Sequence, residues 1–409
     1  MTIVRAIPWA AVLSSMVLAL PGCARPRTQP PSGSAGGSPY LFVWTTDADS
    51  VDLNFLTVLD AREDAATYGA VVTTLAISTE GRTRGHHTEH RMPDGGRLFA
   101  NDFGTGKTYV LDVRDPRRPA LADSFTVAGE LASPHSFERL PNGHVLATFQ
   151  NRGPGHREVG GVAELDARGR LVRAGSAAAG DQYVRPYSLA VVPALDRVVT
   201  GSADMRGGGD SRVVQVWRLS DLALLHTLRI PADWGDAAEP RVLADGRTVL
   251  VTTFGCALLR LTALETDTPR VERVYRFPGA SCALPAVSGH FWIQTVPAEH
   301  ALVALDVRQP EAPREVGRVS LGPGHWPHWI SLEPGDRRLV VTGYQGTRHR
   351  VIVVRFDPAT GALAVDARFG GGPDGAGVSF ARPAWPHGAT GAADPHAAVF
   401  SRPTAERTP

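Results

Sequence analysis

The sequence predicts an all-β protein, a seven-bladed β-propeller whose C-terminal strand pairs with the N-terminal blade. Two observations predict this fold. Past residue 39, apolar residues occur in short runs rich in Val, Leu, Thr and Phe, bounded by Gly, Pro, Asp and Asn, with no sustained helical period. In addition, a strand–turn–strand unit recurs roughly every 45–55 residues, which is the repeat length of a propeller blade. Residues 87–100 align with residues 135–148, and the unit starts again at 187, 240, 284 and 328.

The repeat extends to a second hairpin and to both ends of the chain. Residues 111–119, with the sequence LDVRDPRRP, reappear as LDVRQPEAP at residues 305–313. The six starting positions of the repeat give six full units. Residues 41–77 supply the outer strands of a further unit that lacks its inner strand. Residues 397–401 form a spare strand that would complete that unit and leave no exposed inner edge. Six or eight blades are the alternatives if one hairpin is miscounted.

The N-terminus has the pattern of a bacterial lipoprotein signal peptide. Residues 1–22 contain one early cation, an apolar stretch too short to span a bilayer, and a small residue directly before Cys23. Cys23 is therefore the predicted lipidation site, with plain secretion as the alternative. Residues 23–39 are rich in Gly, Ser and Pro and predict a flexible tether. Residues 40–403 are the predicted single propeller domain, and residues 404–409 a disordered tail.

This organisation predicts an extracytoplasmic protein that its lipid alone anchors to the cell envelope, on the periplasmic side. The charge balance argues against a nucleic-acid partner. The 42 Lys and Arg residues against 41 Asp and Glu residues give a formal charge of +1, so no general positive field is available for a polyanion.

Histidines recur at one position of the repeat. The inner strand of a propeller blade lines the central channel, so the residue just before that strand lies on one rim of the channel. Four of the seven blades carry imidazole there, and in ring order these four blades are neighbours. The sequence therefore predicts an off-centre cluster. Its members are His86, His87, His135, His328 and His387.

The cluster predicts a transition-metal site. Neutral imidazoles bind late first-row metals well, copper foremost and zinc next, whereas calcium and magnesium prefer the oxygen ligands that are sparse at these positions. We therefore expect copper as the cofactor, with another transition metal as one alternative and a purely structural role for the histidines as another. His325 and His396 flank the candidates, and either could replace one of the five. His90, within the inner strand after His87, could line the channel or support a ligand.

Two cysteines remain after Cys23. The alignment of the repeats places both of them on the channel rim that carries the histidines. Cys256 closes the second strand of its blade, and Cys282 directly precedes the next inner strand. In an oxidising compartment a disulfide is the favoured prediction. The alternative is a pair of thiols that bind the metal or react with a sulfur substrate. Together with Tyr187, which takes the rim position of its own blade, they are the candidate residues of a substrate pocket.

Several motifs resemble the selenium-binding protein and methanethiol oxidase family. They are GHHTE at 85–89, GRLFANDFG at 96–104, DVRDP at 112–116, PHSFERLPNG at 134–143 and PHWISLEPG at 327–335. The resemblance implies a seven-bladed propeller with histidine-bound copper that oxidises methanethiol to formaldehyde, hydrogen sulfide and hydrogen peroxide.

The family's functional residues carry over in part. The motifs that contain His86, His87 and His135 match best, and the match at His328 is weaker. His387 is assigned mainly from its position just before the predicted closing strand. Two departures indicate a divergent member. Selenium binding in the family uses a cysteine near the N-terminus, and the only early cysteine here is Cys23. Tyr187 stands where the family usually places another histidine.

Three functions are compatible with these features. The first is a copper-dependent oxidase with a small thiol and oxygen as substrates, in which aromatic rim residues such as Tyr187, Trp326 and Trp385 shape the pocket. The second is a non-catalytic lipoprotein that holds metal or binds a protein, since propellers also serve as interaction platforms. The third, a lactonase-like hydrolase, would favour carboxylates at the channel, and Glu239 is the exception among the inner-strand starts.

Overall fold

The computed structural model describes residues 37–77, 84–153, 155, 157–343, 348–371 and 375–403. The chain is all-β in a propeller arrangement, as the sequence predicted. The signal peptide, Cys23, most of the predicted tether and the predicted tail lie outside the described residues. No helix in the described part of the chain is long and apolar enough to cross a membrane. Three short 3₁₀ helices are present, at Pro193–Leu195, Ala232–Trp234 and Pro297–Glu299.

The first twelve strands cover the N-terminal half of the repeat. They are β1 (Tyr40–Asp47), β2 (Phe55–Asp60), β3 (Val71–Ala76), β4 (Gly85–Thr88), β5 (Arg97–Asp102), β6 (Lys107–Asp112), β7 (Ala120–Phe125), β8 (Val127–Ala128), β9 (Leu131–Arg139), β10 (Val145–Arg152), β11 (Glu158–Leu165) and β12 (Leu171–Ser176).

The next eight strands form two meanders. They are β13 (Pro186–Val192), β14 (Arg197–Ser202), β15 (Val213–Arg218), β16 (Leu224–Arg229), β17 (Ala237–Val242), β18 (Val249–Thr253), β19 (Ala257–Thr262) and β20 (Arg270–Arg276).

The C-terminal strands complete the chain. They are β21 (Pro285–Ser288), β22 (Phe291–Val296), β23 (Ala301–Asp306), β24 (Arg314–Ser320), β25 (Pro327–Leu332), β26 (Arg338–Gly343), β27 (Arg350–Phe356), β28 (Leu363–Val365), β29 (Val378–Ser379), β30 (Ala381–Ala384) and β31 (Thr390–Phe400).

The strands pair into six sheets. Five are separate sheets of four or five strands, and the sixth contains the eight strands β13 to β20. The two four-stranded meanders of that sheet are joined by a single bridge between Ser202 and Ala237. All pairings are antiparallel between the described strands, as expected for consecutive hairpins.

The first and last described strands pair with each other. Leu41 lies opposite Phe400, and the ladder continues to Asp47 opposite Ala393. The C-terminal strand is longer than the predicted residues 397–401, because it starts at Thr390. The indole nitrogen of Trp329, in β25, donates a hydrogen bond of 2.7 Å to the carbonyl oxygen of Ala398. This bond ties the neighbouring sheet to β31.

Packing is graded across each sheet. Strands in the second position, such as β22 and β26, are buried along their whole length, whereas an outer strand such as β7 is almost fully exposed. This gradient arises because neighbouring sheets cover both faces of a middle strand, so that polar residues such as Gln294 and Arg338 are buried along with the apolar ones.

The end of the predicted tether packs against the propeller. Ser38 is buried, and its backbone N–H donates to the Glu333 carboxylate at 2.7 Å, while its carbonyl accepts from Arg338. The ordered contacts therefore begin before residue 40, because the ion pair between Glu333 and Arg338 offers an acceptor and a donor to the incoming chain.

Candidate metal centre

Five histidines from four inner strands lie close together. His86, His87, His328 and His396 each offer one ring nitrogen within 4.8 Å of the others. The His135 ring lies 4.8 Å from the His86 ring and 4.6 Å from the His87 ring, measured between centroids. The structure thus brings together four of the five predicted ligands and places His396 where His387 was expected.

The histidines lie on irregularities of their inner strands. In β4, Gly85 pairs with Asp102 and Thr88 with Ala100, so His86 and His87 both lie opposite the single residue Asn101. Two residues opposite one is a β-bulge, which turns side chains out of the regular alternation of a strand. Both imidazoles can therefore face the same centre although they are adjacent in sequence, and their rings stack 3.9 Å apart.

The same irregularity recurs at the other cluster histidines. The register of β9 shifts at His135, that of β25 at His328 and that of β31 at His396. The inner strands β13 and β17, which carry no cluster histidine, also shift register, whereas β21 pairs with β22 without a shift. Sequence reasoning missed the bulges. The local signal was a Pro-His pair at the start of the irregularity, at 134–135, 327–328 and 395–396.

Polar side chains of the second strands hold these bulges in place. The Asn101 side chain accepts a hydrogen bond of 2.6 Å from the His87 backbone N–H and donates one of 2.6 Å to the Pro134 carbonyl of the next sheet. Thr342 donates in the same way to the His396 carbonyl. The bonds to the Pro134 and His396 carbonyls cross from one sheet to the next, so the histidine backbones are positioned by neighbouring sheets as well as by their own strands.

The His135 ring has a defined tautomer. Its Nδ1 lies 2.8 Å from the carbonyl oxygen of Tyr187, which can only accept a hydrogen bond. Nδ1 therefore carries the proton, and Nε2 keeps its lone pair. That Nε2 is buried and has no hydrogen-bond partner among the described residues, and the same holds for Nδ1 of His86 and for both ring nitrogens of His87.

Burial keeps the cluster uncharged. It lowers the pKa of His135 to about 3 and the pKa of His328 to about 4. For His86, His87 and His396, burial first and the neighbouring imidazoles second hold the pKa well below the ordinary value. Imidazoles that stay neutral at pH 7 offer lone pairs, which is the state a metal requires.

Aromatic residues surround the imidazoles. The Tyr187 ring lies 3.8 Å from the His135 ring and is buried, and the Trp329 ring lies 5.1 Å from the His87 ring. Tyr187 therefore lies beside the cluster, as expected for a pocket residue. Trp326 is exposed and Trp385 packs on Phe55, 4.8 Å away.

His387 does not reach the cluster. Its Nδ1 lies 2.8 Å from the Thr74 hydroxyl in β3, and its ring lies 4.6 Å from the Phe55 ring in β2. The reason is local: residues 385–389 form the turn between β30 and β31, which carries His387 over the outer strands. Both His387 and His396 follow a proline, so the sequence alone did not separate them, although His396 had been considered as a replacement.

Cys256 and Cys282 are joined in a disulfide, with Cα atoms 5.0 Å apart. Both sulfurs are buried in an apolar cluster with Phe277 and Trp292. Joined cysteines offer no thiolate for a metal or a substrate. The structure thus supports the disulfide interpretation and removes both cysteines from the candidate pocket.

Two further histidines lie near the centre. His90 stacks on Trp329 with the rings 4.4 Å apart, and its Nε2 accepts a hydrogen bond of 3.0 Å from Arg241. His325 is buried three residues before His328, where burial lowers its pKa to about 4. Neither belongs to the group of four ring nitrogens described above.

The donor set fits a transition metal. Opposite ligands of a metal–imidazole site with bonds of about 2.0–2.1 Å lie about 4 Å apart, close to the 4.8 Å span of the four nitrogens. Among the described residues the cluster contains imidazole and no carboxylate. This chemistry suits copper or zinc and not calcium. Removal from water of several lone pairs without hydrogen-bond donors would otherwise be costly.

Comparison with known proteins identifies the fold. No protein-family model matches the chain, and no curated protein sequence matches it. A crystal structure of a hypothetical selenium-binding protein from Sulfolobus tokodaii superposes with a TM-score of 0.73 at 15% identity, over 90% of this chain and 94% of that one. The periplasmic gluconolactonase of Pseudomonas aeruginosa gives a TM-score of 0.57 at 18% identity, over 80% and 94%.

A putative 6-phosphogluconolactonase from Bacteroides fragilis is similar as well. Its TM-score is 0.54 at 13% identity, over 83% of this chain and 96% of that one. At identities this low, the likeness concerns the β-propeller fold. The chemistry of this chain has to be argued from its own site.

Proposed function

We propose that this chain is an extracytoplasmic, copper-dependent oxidase of a small thiol such as methanethiol, with copper held by His86, His87, His135, His328 and His396. The observation that carries the proposal is the convergence of five uncharged imidazoles on one buried centre. Copper is preferred because imidazole nitrogens bind it most tightly among the divalent first-row metals.

Copper held by these histidines would supply the redox chemistry by which the methyl carbon of the thiol is oxidised by two electrons and oxygen is reduced to hydrogen peroxide. The reaction implied by the family resemblance balances as methanethiol, oxygen and water giving formaldehyde, hydrogen sulfide and hydrogen peroxide. The protein's part is to bind and orient. The Tyr187 carbonyl holds the His135 ring through Nδ1, and the Tyr187 and Trp329 rings form apolar walls that suit a methyl group.

His328 marks the side from which a substrate would approach. It is the one member of the four-histidine group that is partly exposed, whereas His86, His87 and His396 are buried. A thiol that enters beside His328 meets uncharged imidazoles, so no fixed ammonium or carboxylate competes for its sulfur.

The proposal includes the architecture and the location. We propose that the eight-stranded sheet counts as two blades, which with the five separate sheets gives a seven-bladed ring closed by the β1–β31 pair. Lipidation at Cys23 would place the propeller outside the cytoplasm, where the disulfide between Cys256 and Cys282 would persist.

The second candidate is a non-catalytic lipoprotein that holds the metal without turnover. The burial of three of the four grouped histidines favours it, because an enclosed site leaves less room for an open coordination position. A lactonase function is less favoured. The similar lactonase structures share the fold, but no carboxylate joins the histidines among the described residues.

The test is elemental analysis of protein purified from the periplasm, combined with oxygen uptake on addition of methanethiol. We expect about one copper per chain and thiol-dependent oxygen consumption, with hydrogen peroxide and hydrogen sulfide formed in equal amounts. Copper without turnover would contradict the oxidase and favour the second candidate. No retained transition metal after loading with copper would contradict both.

Two variants serve as controls for the site. The double substitution of His86 and His87 by Ala should abolish copper retention while the protein still melts cooperatively, because strand pairing holds the fold. His226→Ala changes a half-buried histidine on the outer strand β16 and should retain copper. Unchanged copper in the double variant would overturn the assignment.

A further inference from the structure

A second cavity lies at the other end of the inner strands. It has a volume of about 580 Å³ and is lined by residues just past the histidine positions, such as His90, Glu138, Arg241 and Ser331. Glu138 follows His135 by three residues, which is about 10 Å along a strand. None of the five cluster histidines lines this cavity.

The His90 and Trp329 rings lie between the cavity and the cluster histidines. His90 lines the cavity and stacks on Trp329, whose other neighbour is His87. Arg241 fixes the His90 ring by its hydrogen bond to Nε2. The cavity is therefore separate from the metal centre, and a ligand bound in it would touch His90 but none of the five cluster histidines.

Most charges on the cavity wall are already neutralised. Arg139 makes two hydrogen bonds to the Glu89 carboxylate, at 2.8 and 2.7 Å. Arg241 pairs with Glu239 at 2.9 Å. These internal pairs leave no net charge for a ligand, and they hold the wall rigid.

Arg91 and Glu138 are different. Both line the cavity, and among the described residues neither side chain makes a hydrogen bond or an ion pair within 4.0 Å, although Arg241 and Arg91 attract the Glu138 carboxylate from a longer distance. The Glu138 side chain is half-buried, and withdrawal from water raises the pKa of its carboxyl group despite the attraction of Arg241 and Arg91. A carboxylate and a guanidinium that line one cavity and make no direct side-chain hydrogen bond are suited to a ligand that carries both opposite charges.

The rest of the wall is apolar. It includes Met92, Leu189, Val242, Pro285 and Ile330. A pocket with a few polar groups on an otherwise apolar wall is typical of small-molecule sites, and 580 Å³ lies within their usual range of about 300–1,000 Å³.

We propose that this cavity binds a small zwitterion with an aliphatic portion, of the size of an α-amino acid. The ammonium group pairs with Glu138, the carboxylate pairs with Arg91, and the aliphatic chain lies against the apolar wall. The proposal is independent of the copper oxidase, because it uses none of the metal ligands.

Isothermal titration calorimetry tests this proposal with three matched probes. Norleucine carries both charges, hexanoate lacks the ammonium and hexylamine lacks the carboxylate. We expect norleucine to bind at least about tenfold more tightly than either of the others, since a lost charged hydrogen bond costs about 1.5–3 kcal/mol. Hexanoate or hexylamine binding as tightly as norleucine would overturn the zwitterion, and no heat with norleucine at millimolar concentration would overturn the site.

Four variants locate the binding. Glu138→Gln and Arg91→Gln should each weaken norleucine binding at least about tenfold. Glu265→Gln and Arg168→Gln make the same changes on the exposed surface and should have no effect. Equal binding by all four would overturn the proposal. Titrations with and without copper should agree, so failure of this site is distinguishable from failure of the metal centre.

Discussion

At the scale of single residues, a hydrogen bond to a backbone carbonyl orients the His135 ring for the metal binding proposed above. The Tyr187 carbonyl accepts from Nδ1, so the ring can turn only its unprotonated Nε2 toward the centre. The hydrogen bond of one ring nitrogen commonly decides which nitrogen of a histidine binds a metal. Replacement of Tyr187 by Phe would keep this contact, because it comes from the backbone.

His396 and His387 give a matched pair for the metal centre. His396→Ala should weaken copper binding by more than the about 10–100-fold expected for loss of an outer partner, because it removes a ring nitrogen from the group. His387→Ala should leave the copper affinity unchanged, since that ring contacts Thr74 and Phe55. Competition with a copper chelator measures both affinities. The reverse order of effects would restore His387 as a ligand.

The depressed pKa values of the cluster predict how stability depends on pH in the metal-free protein. The unfolded chain takes up protons on its histidines as the pH falls through about 6.5, whereas His328 and His135 stay neutral until about pH 4 and 3. The free energy of unfolding should therefore decrease from pH 6.5 down to pH 4, by about 1.4 kcal/mol per pH unit for each such histidine.

Urea unfolding of the metal-free protein at pH 7 and pH 5 measures this dependence. A double variant with His135→Gln and His328→Gln should show a shallower loss between the two pH values. An equally steep loss in the double variant would mean that other groups cause it. Bound copper should protect the protein over the same range until protons displace it.

At the scale of elements, the β-bulges decide where the imidazoles point. A regular strand would send His86 and His87 to opposite faces, since side chains alternate along a strand. The bulge opposite Asn101 brings both rings to one side, stacked 3.9 Å apart. Asn101 also bonds to the Pro134 carbonyl, so one side chain links the bulges of β4 and β9.

Asn101→Ala tests this positioning role. We expect the free energy of unfolding to fall by about 1–3 kcal/mol, because the buried His87 N–H loses its acceptor. We also expect copper affinity to fall by about 10–100-fold, as for loss of other outer-shell partners. Denaturation and chelator competition measure the two effects.

Asn142→Ala provides the control, since Asn142 lies in the exposed turn between β9 and β10 and its side chain bonds to Glu164 and to the His144 backbone N–H, not to a bulge. It should leave the copper affinity unchanged. A purely structural role for Asn101 would lower the stability without a change of copper affinity in the protein that remains folded, and would contradict the positioning role.

At the scale of the whole molecule, the contact between the chain ends is the largest long-range feature. The β1 strand lies between β2 and β31, so it has no free edge. His396 belongs to β31, and the pairing therefore positions one histidine of the proposed metal centre as well as the N-terminal sheet. The Trp329 bond to the Ala398 carbonyl joins this sheet to its neighbour.

Proline substitutions in β1 test this pairing. Consecutive backbone N–H groups of a strand point to opposite sides, so Phe42→Pro and Val43→Pro each remove a bond, one toward β2 and the other toward β31. Both should destabilise the protein by about 3 kcal/mol or more in thermal or urea unfolding. Tolerance of either one would mean that β1 is an edge strand.

Ala167→Pro is the matched control. Ala167 follows Asp166 in an exposed turn that is closed by the hydrogen bond from the Gly169 N–H to the Asp166 carbonyl. Proline is favoured at the second position of such a turn. The melting temperature of this variant should stay unchanged or rise slightly.

The sequence by itself determined the strand-rich repeat, the recurrence of histidine near the inner strands and the cysteine pair. These features follow from local patterns of apolar residues, turn residues and repeat length, which a single chain displays without knowledge of its partners. The same patterns located His86, His87, His135 and His328 in one neighbourhood, and Tyr187 beside them.

Only the tertiary structure decided between His387 and His396, and only it revealed the bulges and the cavity with Arg91 and Glu138. Both histidines follow a proline near the start of the last strand, so no local signal separates them. The choice depends on where β31 begins, because His387 lies in the turn before the strand and contacts Thr74, whereas His396 lies within the strand. The strand is in turn placed by its pairing with β1, which is more than 300 residues away in sequence.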